Sequence, residues 1–244
     1  MDLIKFNISG DGFGHPGLAA DVNPMTDAEV QAICDTARRT GRRLAAHAHA
    51  DEAVQICIDQ GVEFIYHATF ISDGTIEALE RVKDHHYVTP AIGVRWGALH
   101  EGAPFGLTAD KVREIDAAIE NMSKLREAGI KVLPFGDYGL AWTPQGSDTR
   151  DFEHFVNLFS FEPWEVLRAA TAYGGEAFGG EPLGQIKAGY LADLLLIDGN
   201  PLEDLTLFQN RDNIAAIMKN GEFRKRPAAG AQSSAGIATV RATA

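Results

Sequence analysis

Five short apolar runs recur along the chain: LIKFNIS (3–9), RLAAHAH (43–49), EFIYHATF (63–70), HYVTPAIGV (86–94) and KVLPFGD (131–137). Each is followed by a stretch of helical period. Strands that alternate with helices lie parallel in one sheet and connect through right-handed crossovers, which leaves an open doubly wound sheet or a (β/α)8 barrel. The first helix opens on Thr26-Asp27-Ala28-Glu29, a capping box that satisfies free N-terminal amides, and closes at Gly41. The next two are expected near 51–60 and 75–84. The longest, from Thr108 to Gly129, sets Val112, Ile115, Ile119, Met122 and Leu125 on one face. Two more follow the last strand, at 150–159 and from Pro163, a residue favoured at the first helical position, to about Phe178.

An open nucleotide-binding sheet carries a glycine-rich loop that feeds directly into a helix. SGDGFGHPG offers Gly10, Gly12 and Gly14, but the chain runs on to Asp21-Val22-Asn23-Pro24 before any helix begins, so no helix N-terminus meets those glycines. A barrel instead gathers polar residues at the C-terminal ends of its strands. Alternation in the first run sets Ile4, Phe6 and Ile8 on one face and Lys5, Asn7 and Ser9 on the other. Lys5 then points into the barrel. His47 and His49 share a face of the second run, His67 lies with Ile65 and Thr69 in the third, and the fifth ends on Asp137.

Two imidazoles, a carboxylate and a buried lysine on one rim form a donor set for a transition metal, and zinc suits imidazole and carboxylate. Metal-bound water ionises near neutral pH, and an aspartate beside it can carry the proton. Taken singly, a histidine at a strand end is more often a hydrogen-bonded structural group, and Lys5 an edge lysine that snorkels. Recurrence at matching positions one βα unit apart favours ligands. His85 and His86 are expected to be solvated turn residues, His15, His100 and His154 surface or loop residues, and Trp142 and Trp164 packing residues.

At 244 residues, 45% of them hydrophobic, the chain can bury the core of one large domain or of one plus a small one. A net charge of −12, with no basic cluster beyond Arg224-Lys225-Arg226, argues against nucleic acid or an anionic membrane as partner and for a small-molecule substrate. Cys34 and Cys57 fall in helical patterns without ligand spacing, which reads as buried thiols in a reducing cytoplasm, although a signal peptide upstream of Met1 would change that location. No apolar run approaches a membrane span.

The motifs resemble the amidohydrolase superfamily, in the branch of imidazolonepropionase-like enzymes and metal-dependent dipeptidases of the Xaa-Pro type. DLIKFNISGD looks like the fourth barrel strand, LAAHAH the fifth, FIYHATF the sixth, and LPFGDYGLAWTPQG the eighth with its loop. LGQIKAGYLADLLLIDGNPLEDL and IAAIMKNGEF are similar to the return from the barrel into a small β-sandwich, and Asn220-Gly221 is a hairpin signal in its own right. The resemblance implies an α/β fold: a partial TIM-type barrel, strands four to eight, over 1–178, a sandwich segment over 179–226 and a disordered tail over 227–244. It implies one or two divalent metal ions, zinc among them, held by Lys5 (carbamylated), His47, His67 and Asp137, with Asp137 also the general base. The activity implied is hydrolysis of amide, dipeptide or cyclic amide C–N bonds by a metal-activated hydroxide. Arg95, with Tyr66 and His49, is then placed to hold a substrate carboxylate, or Arg95 makes a loop salt bridge.

The family's first-strand His-x-His pair has no counterpart here. The expectation is therefore a fragment of a longer enzyme, or a shortened protein that associates with another copy or a partner, with exposed sheet edges and weakened metal binding. Two other readings stay open: a catalytically inactive binding or assembly module, and a sugar-phosphate or nucleotide enzyme on a related barrel.

Overall fold

The structure, a computed structural model, describes residues 2–11, 18–102 and 109–227. His15, Gly12, Gly14, Thr108 and the tail from 228 onward lie outside the described residues. Strands β1 (Leu3–Asn7), β2 (Arg43–Ala50), β3 (Phe64–Phe70), β4 (Tyr87–Thr89) and β5 (Lys131–Val132) form one parallel sheet in chain order. The order never reverses, so the sheet lacks the switch-point crevice of a doubly wound fold. Among the described residues β1 and β5 each pair on one side only, and the sheet does not close.

The helices follow the sequence signals. α1 (Asp27–Thr40) carries the capping box, with Thr26 and Glu29 bonded reciprocally, and ends on Gly41 at φ 63°. α2 (Asp51–Gln60) ends on Gly61 in the same left-handed conformation. α3 (Asp73–Arg81) starts two residues earlier than the period indicates, because the Ser72 hydroxyl accepts from the Thr75 amide and caps it. α5 (Ala109–Glu127) contributes Ile115, Ala118, Met122 and Leu125 to the core. These pack with Val30, Cys34, Val54, Cys57 and Leu79 against Ala46, Ala48, Ile65 and Val88 of the sheet. Both cysteines are buried thiols, as their pattern indicates.

The fourth run departs from expectation. Its strand stops at Thr89, and Ile92–His100 forms a helix, α4. Pro90 has no amide to give the ladder, and Ala91 turns the chain at φ 50°. The sequence hides α4 because Ile92, Gly93, Val94, Arg95, Gly97 and Ala98 are all buried, leaving no polar face to mark a helical period. Arg95, expected at the end of the strand made by this run, rides instead on a helix.

After β5, α6 (Asp151–Phe159) buries Phe152, Phe155 and Phe159. A continuous helical run from Pro163 to Phe178 follows: α7 (Pro163–Arg168), a wider π-type turn (Ala169–Tyr173) and α8 (Gly174–Phe178). The chain ends its described part in an antiparallel sheet of β6 (Leu194–Ile197), β7 (Ile214–Lys219) and β8 (Glu222–Lys225). β7 and β8 join through Asn220 and Gly221 at φ 49° and 77°, the pair of positive φ angles a tight hairpin turn needs. Leu194, Leu195 and Leu196 stay exposed on β6. No helix among the described residues is long and apolar enough to cross a membrane.

Candidate functional site

His47 and His49 project from one face of β2, and β3 brings His67 to them. In the β2–β3 register Ala48, not His47, lies opposite His67. The positive φ of His67 (77°) and Ala68 (47°) breaks the regular pleat there, a strained backbone for non-glycine residues. The result is a contact of 2.9 Å between His67 Nε2 and His47 Nδ1. One ring nitrogen from each of His47, His49 and His67 lies within 4.8 Å of the others, an arrangement that can hold a metal ion. All three side chains are buried.

Hydrogen bonds divide the three. Carbonyl oxygens only accept, so His47 Nε2 donates to Gly10 O at 2.9 Å and His67 Nδ1 donates to Pro90 O at 3.3 Å. Burial is the largest cause lowering both pKa values, helped for His67 by His47 and Arg95, so both rings are neutral and carry one proton each. The facing atoms, His47 Nδ1 and His67 Nε2, are then both lone pairs. Two lone pairs at 2.9 Å with no proton between them fit a divalent cation. Asp137 Oδ2 lies 3.7 Å from the same His67 Nε2 and adds a carboxylate.

His49 differs from these two. Its Nδ1 meets the Thr69 hydroxyl at 2.7 Å, and Arg95 Nη2, which can only donate, meets its Nε2 at 3.2 Å. Its lone pair is thus directed to arginine. Arg95 also donates to Asp11 O at 2.7 Å, and its Nε lies 2.6 Å from Glu114 Oε2 in a buried ion pair. The alternative of an Arg95 salt bridge is realised, between helices α4 and α5 and not within a loop.

Lys5, Asn7, His47, Arg95, Asp137 and Trp142 line one cleft of about 510 Å³. Lys5 is not buried, because β1 is an edge strand with nothing beyond it among the described residues; its Nζ sits 4.8 Å from the centre of the Tyr66 ring. Tyr66 is half-buried, and its phenol pKa is raised by burial and by Asp137. The cleft thus gathers Lys5, His47, Arg95 and Asp137, with His67 and Tyr66 beside it.

Three further histidine and tryptophan expectations change. His86 is buried and donates from Nδ1 to Val62 O at 2.7 Å. His154 is half-buried in α6 near Trp96, and burial pushes it down to about 4. Trp142 packs by donating to Val94 O at 3.1 Å, yet it also forms cleft wall. His85 and His100 are exposed, as expected, whereas Trp164 on α7, expected to pack, is exposed as well.

Sequence reasoning missed Asp151, the fully buried first residue of α6. Its Oδ2 accepts from the Phe135 amide at 2.8 Å and its Oδ1 from the Tyr138 hydroxyl at 2.7 Å. Burial raises its pKa to about 6, against the lowering effect of both donors. The folded chain therefore binds this proton more tightly than the unfolded chain does. Stability falls as pH rises between about 4 and 6, and above that window ionisation costs about 3 kcal/mol. Asp151→Asn is expected to stabilise by up to about 3 kcal/mol in urea unfolding near pH 7.5, and by under about 1 kcal/mol near pH 4. Equal gains at the two pH values would refute the ionisation cost.

The sequence pattern of the amidohydrolase family matches residues 7–224. The chain belongs to the amidohydrolase family. Ochratoxinase of Aspergillus niger is 26% identical over 219 residues, 87% of this chain and 45% of that protein. The chain thus spans about half the length of the curated relatives it matches. The crystal structure of A. niger ochratoxinase superposes with a TM-score of 0.81 at 21% identity, covering 93% of this chain and 51% of that one. A Bifidobacterium longum structure described as a prolidase gives 0.77 at 25% identity over 93% of this chain and 56% of that one. A Xaa-Pro dipeptidase with bound methionine gives 0.71 at 23%, over 92% and 54%. The two structures under 25% identity establish likeness of fold alone. The histidine cluster and every cleft-lining residue but Lys5 lie within the matched residues.

Proposed function

We propose that this chain carries the metal-binding and proton-transfer groups of an amidohydrolase that cleaves amide, dipeptide or cyclic amide C–N bonds. In the same reading the five-stranded sheet is the arc of strands four to eight of a (β/α)8 barrel, and 179–226 is its small β-sandwich segment. The supporting observation is the pair of lone pairs, His47 Nδ1 and His67 Nε2, that face each other beside Asp137.

A divalent cation, for which zinc suits these donors, polarises a carbonyl and lowers the pKa of water. His47 and His67 would hold it, each ring fixed by a backbone carbonyl behind it. Lys5, if carbamylated, presents a carboxylate to the cleft where its ammonium would repel a cation. Asp137 is exposed to the cleft, so its carboxylate can take a proton from the attacking water and return it to the departing nitrogen. Arg95 and Tyr66 stand where a substrate carboxylate can be held, with His49 orienting the guanidinium. The substrate is a small molecule, since the cleft is small and the chain strongly acidic.

One experiment tests this reading: purified protein supplied with zinc and bicarbonate is assayed on dipeptides and small lactams. Hydrolysis is expected, with Lys5→Ala and Asp137→Ala each lowering kcat at least about 100-fold. Zinc content near zero despite excess metal would sink it.

A second reading is favoured by the coverage of 45% of ochratoxinase and by the one-sided pairing of β1 and β5. In it the chain is an inactive module that associates with a second copy or with the remainder of a longer protein. Its mark is zinc binding or self-association without hydrolysis.

A further inference from the structure

We propose that Asp151 is the positioning residue for Asp137: its carboxylate grips the loop on both sides of Asp137 and sets how that side chain enters the cleft. The proposal deepens the hydrolase reading and rests on it for Asp137's role.

The loop after β5 has no regular structure to hold it. Phe135, Gly136 and Asp137 stand at φ 82°, 142° and 56°, three successive residues in the positive-φ region. Non-glycine residues there are strained, and such backbone persists only where the surroundings over-determine it. Asp151 supplies much of that constraint. One carboxylate oxygen takes the Phe135 amide, two residues before Asp137, and the other takes the Tyr138 hydroxyl, one residue after it. Thr89, at the end of β4, donates its hydroxyl to Phe135 O at 2.6 Å, so both polar atoms of that residue's backbone are fixed.

The neighbouring elements are cut to admit this grip. A Cβ at Gly93 of α4 would lie 2.3 Å from Tyr138 Oη and 2.9 Å from Asp151 Oδ1, so only glycine leaves room for the pair. A Cβ at Gly136 would lie 2.9 Å from Ala91 Cβ. Among the described residues the carboxylate is held by these two neutral donors and by no cation. Both oxygens reach outside α6, so Asp151 does not serve as a cap for its own helix. A buried anion is a costly way merely to fill space, and its geometry is informative for that reason. Displacement of a reacting group by about 1 Å can cost about 100-fold in rate, which is the scale on which Asp137 must be held.

The test compares Asp151→Ala, Asp151→Asn and Tyr138→Phe with wild type by two readouts. In hydrogen exchange on the metal-free protein, Asp151→Ala is expected to speed amides 133–140 at least about tenfold while β2 and β3 stay protected. In zinc- and bicarbonate-loaded assays it lowers kcat about 10–100-fold, with KM within about threefold of wild type. Asn can accept from the Phe135 amide and donate to the Tyr138 hydroxyl, so Asp151→Asn restores both readouts to within about threefold. Tyr138→Phe removes one bond, gives an intermediate effect, and carries the test if Asp151→Ala does not fold. Unchanged exchange at 133–140, or a loss confined to KM, or no recovery in Asp151→Asn, overturns the proposal. If wild type itself hydrolyses nothing, the hydrolase reading falls, and exchange alone decides whether Asp151 holds the loop.

Discussion

His67→Ala is expected to lower affinity for zinc at least about 100-fold, because partners that only orient a ligand already cost 10–100-fold and His67 is placed as a ligand itself. Its Nε2 is the atom nearest both other donors, 2.9 Å from His47 Nδ1 and 3.7 Å from Asp137 Oδ2. Removing the ring leaves those two groups without the third that joins them. His49→Gln gives the discriminating comparison. His49 sits in the same three-ring cluster and stacks on His67 at 4.0 Å, but its lone pair meets Arg95. That substitution should leave zinc affinity within about tenfold, the low end for a group that only orients. Titration against a competing chelator measures both. Equal losses in the two variants would show that all three rings bind the ion and that the tautomer argument is wrong.

The second large effect concerns Arg95 and Glu114. Both side chains are less than 10% exposed, and burial is the largest influence on each, lowering the pKa of Arg95 and raising that of Glu114. Breaking a buried pair from one side strands the other charge, so Glu114→Ala should destabilise the fold by about 3–5 kcal/mol in urea unfolding. Replacing both, as Arg95→Met with Glu114→Leu, should cost far less, because neither member of the pair is then left without the other. The double variant also removes the guanidinium from the cleft. A double variant as unstable as Glu114→Ala would mean that Arg95 stabilises α4 through its bonds to Asp11 O and His49, and not through the ion pair.

The sequence made some of this plain and concealed the rest for definable reasons. Alternating strand and helix periods with a capping box and Gly41 located α1, and apolar spacing located α5, because each helix has one buried and one wet face. His47 and His67 were legible as histidines near the ends of neighbouring strands, but not their offset, since Ala48 and not His47 pairs with His67. The kink at His67 and Ala68 was not, because nothing in HATF demands a positive φ. α4 lay hidden because it is buried over most of its surface, its arginine included. Lys5 was placed on the right face, but its exposure depends on what pairs with β1, which lies outside any local pattern. Asp151 looks like any acidic residue in a first helical turn; only tertiary packing turns it toward Phe135 and Tyr138.

The strand order has a bearing on how the chain is made. Each strand of the parallel sheet hydrogen-bonds to the strand next in sequence. A βα unit emerging from the ribosome therefore finds its docking surface already synthesised, and each addition closes one crossover connection and never the length of the whole chain. Structure can accrue unit by unit during translation, and the β7–β8 hairpin can close locally on its own tight turn.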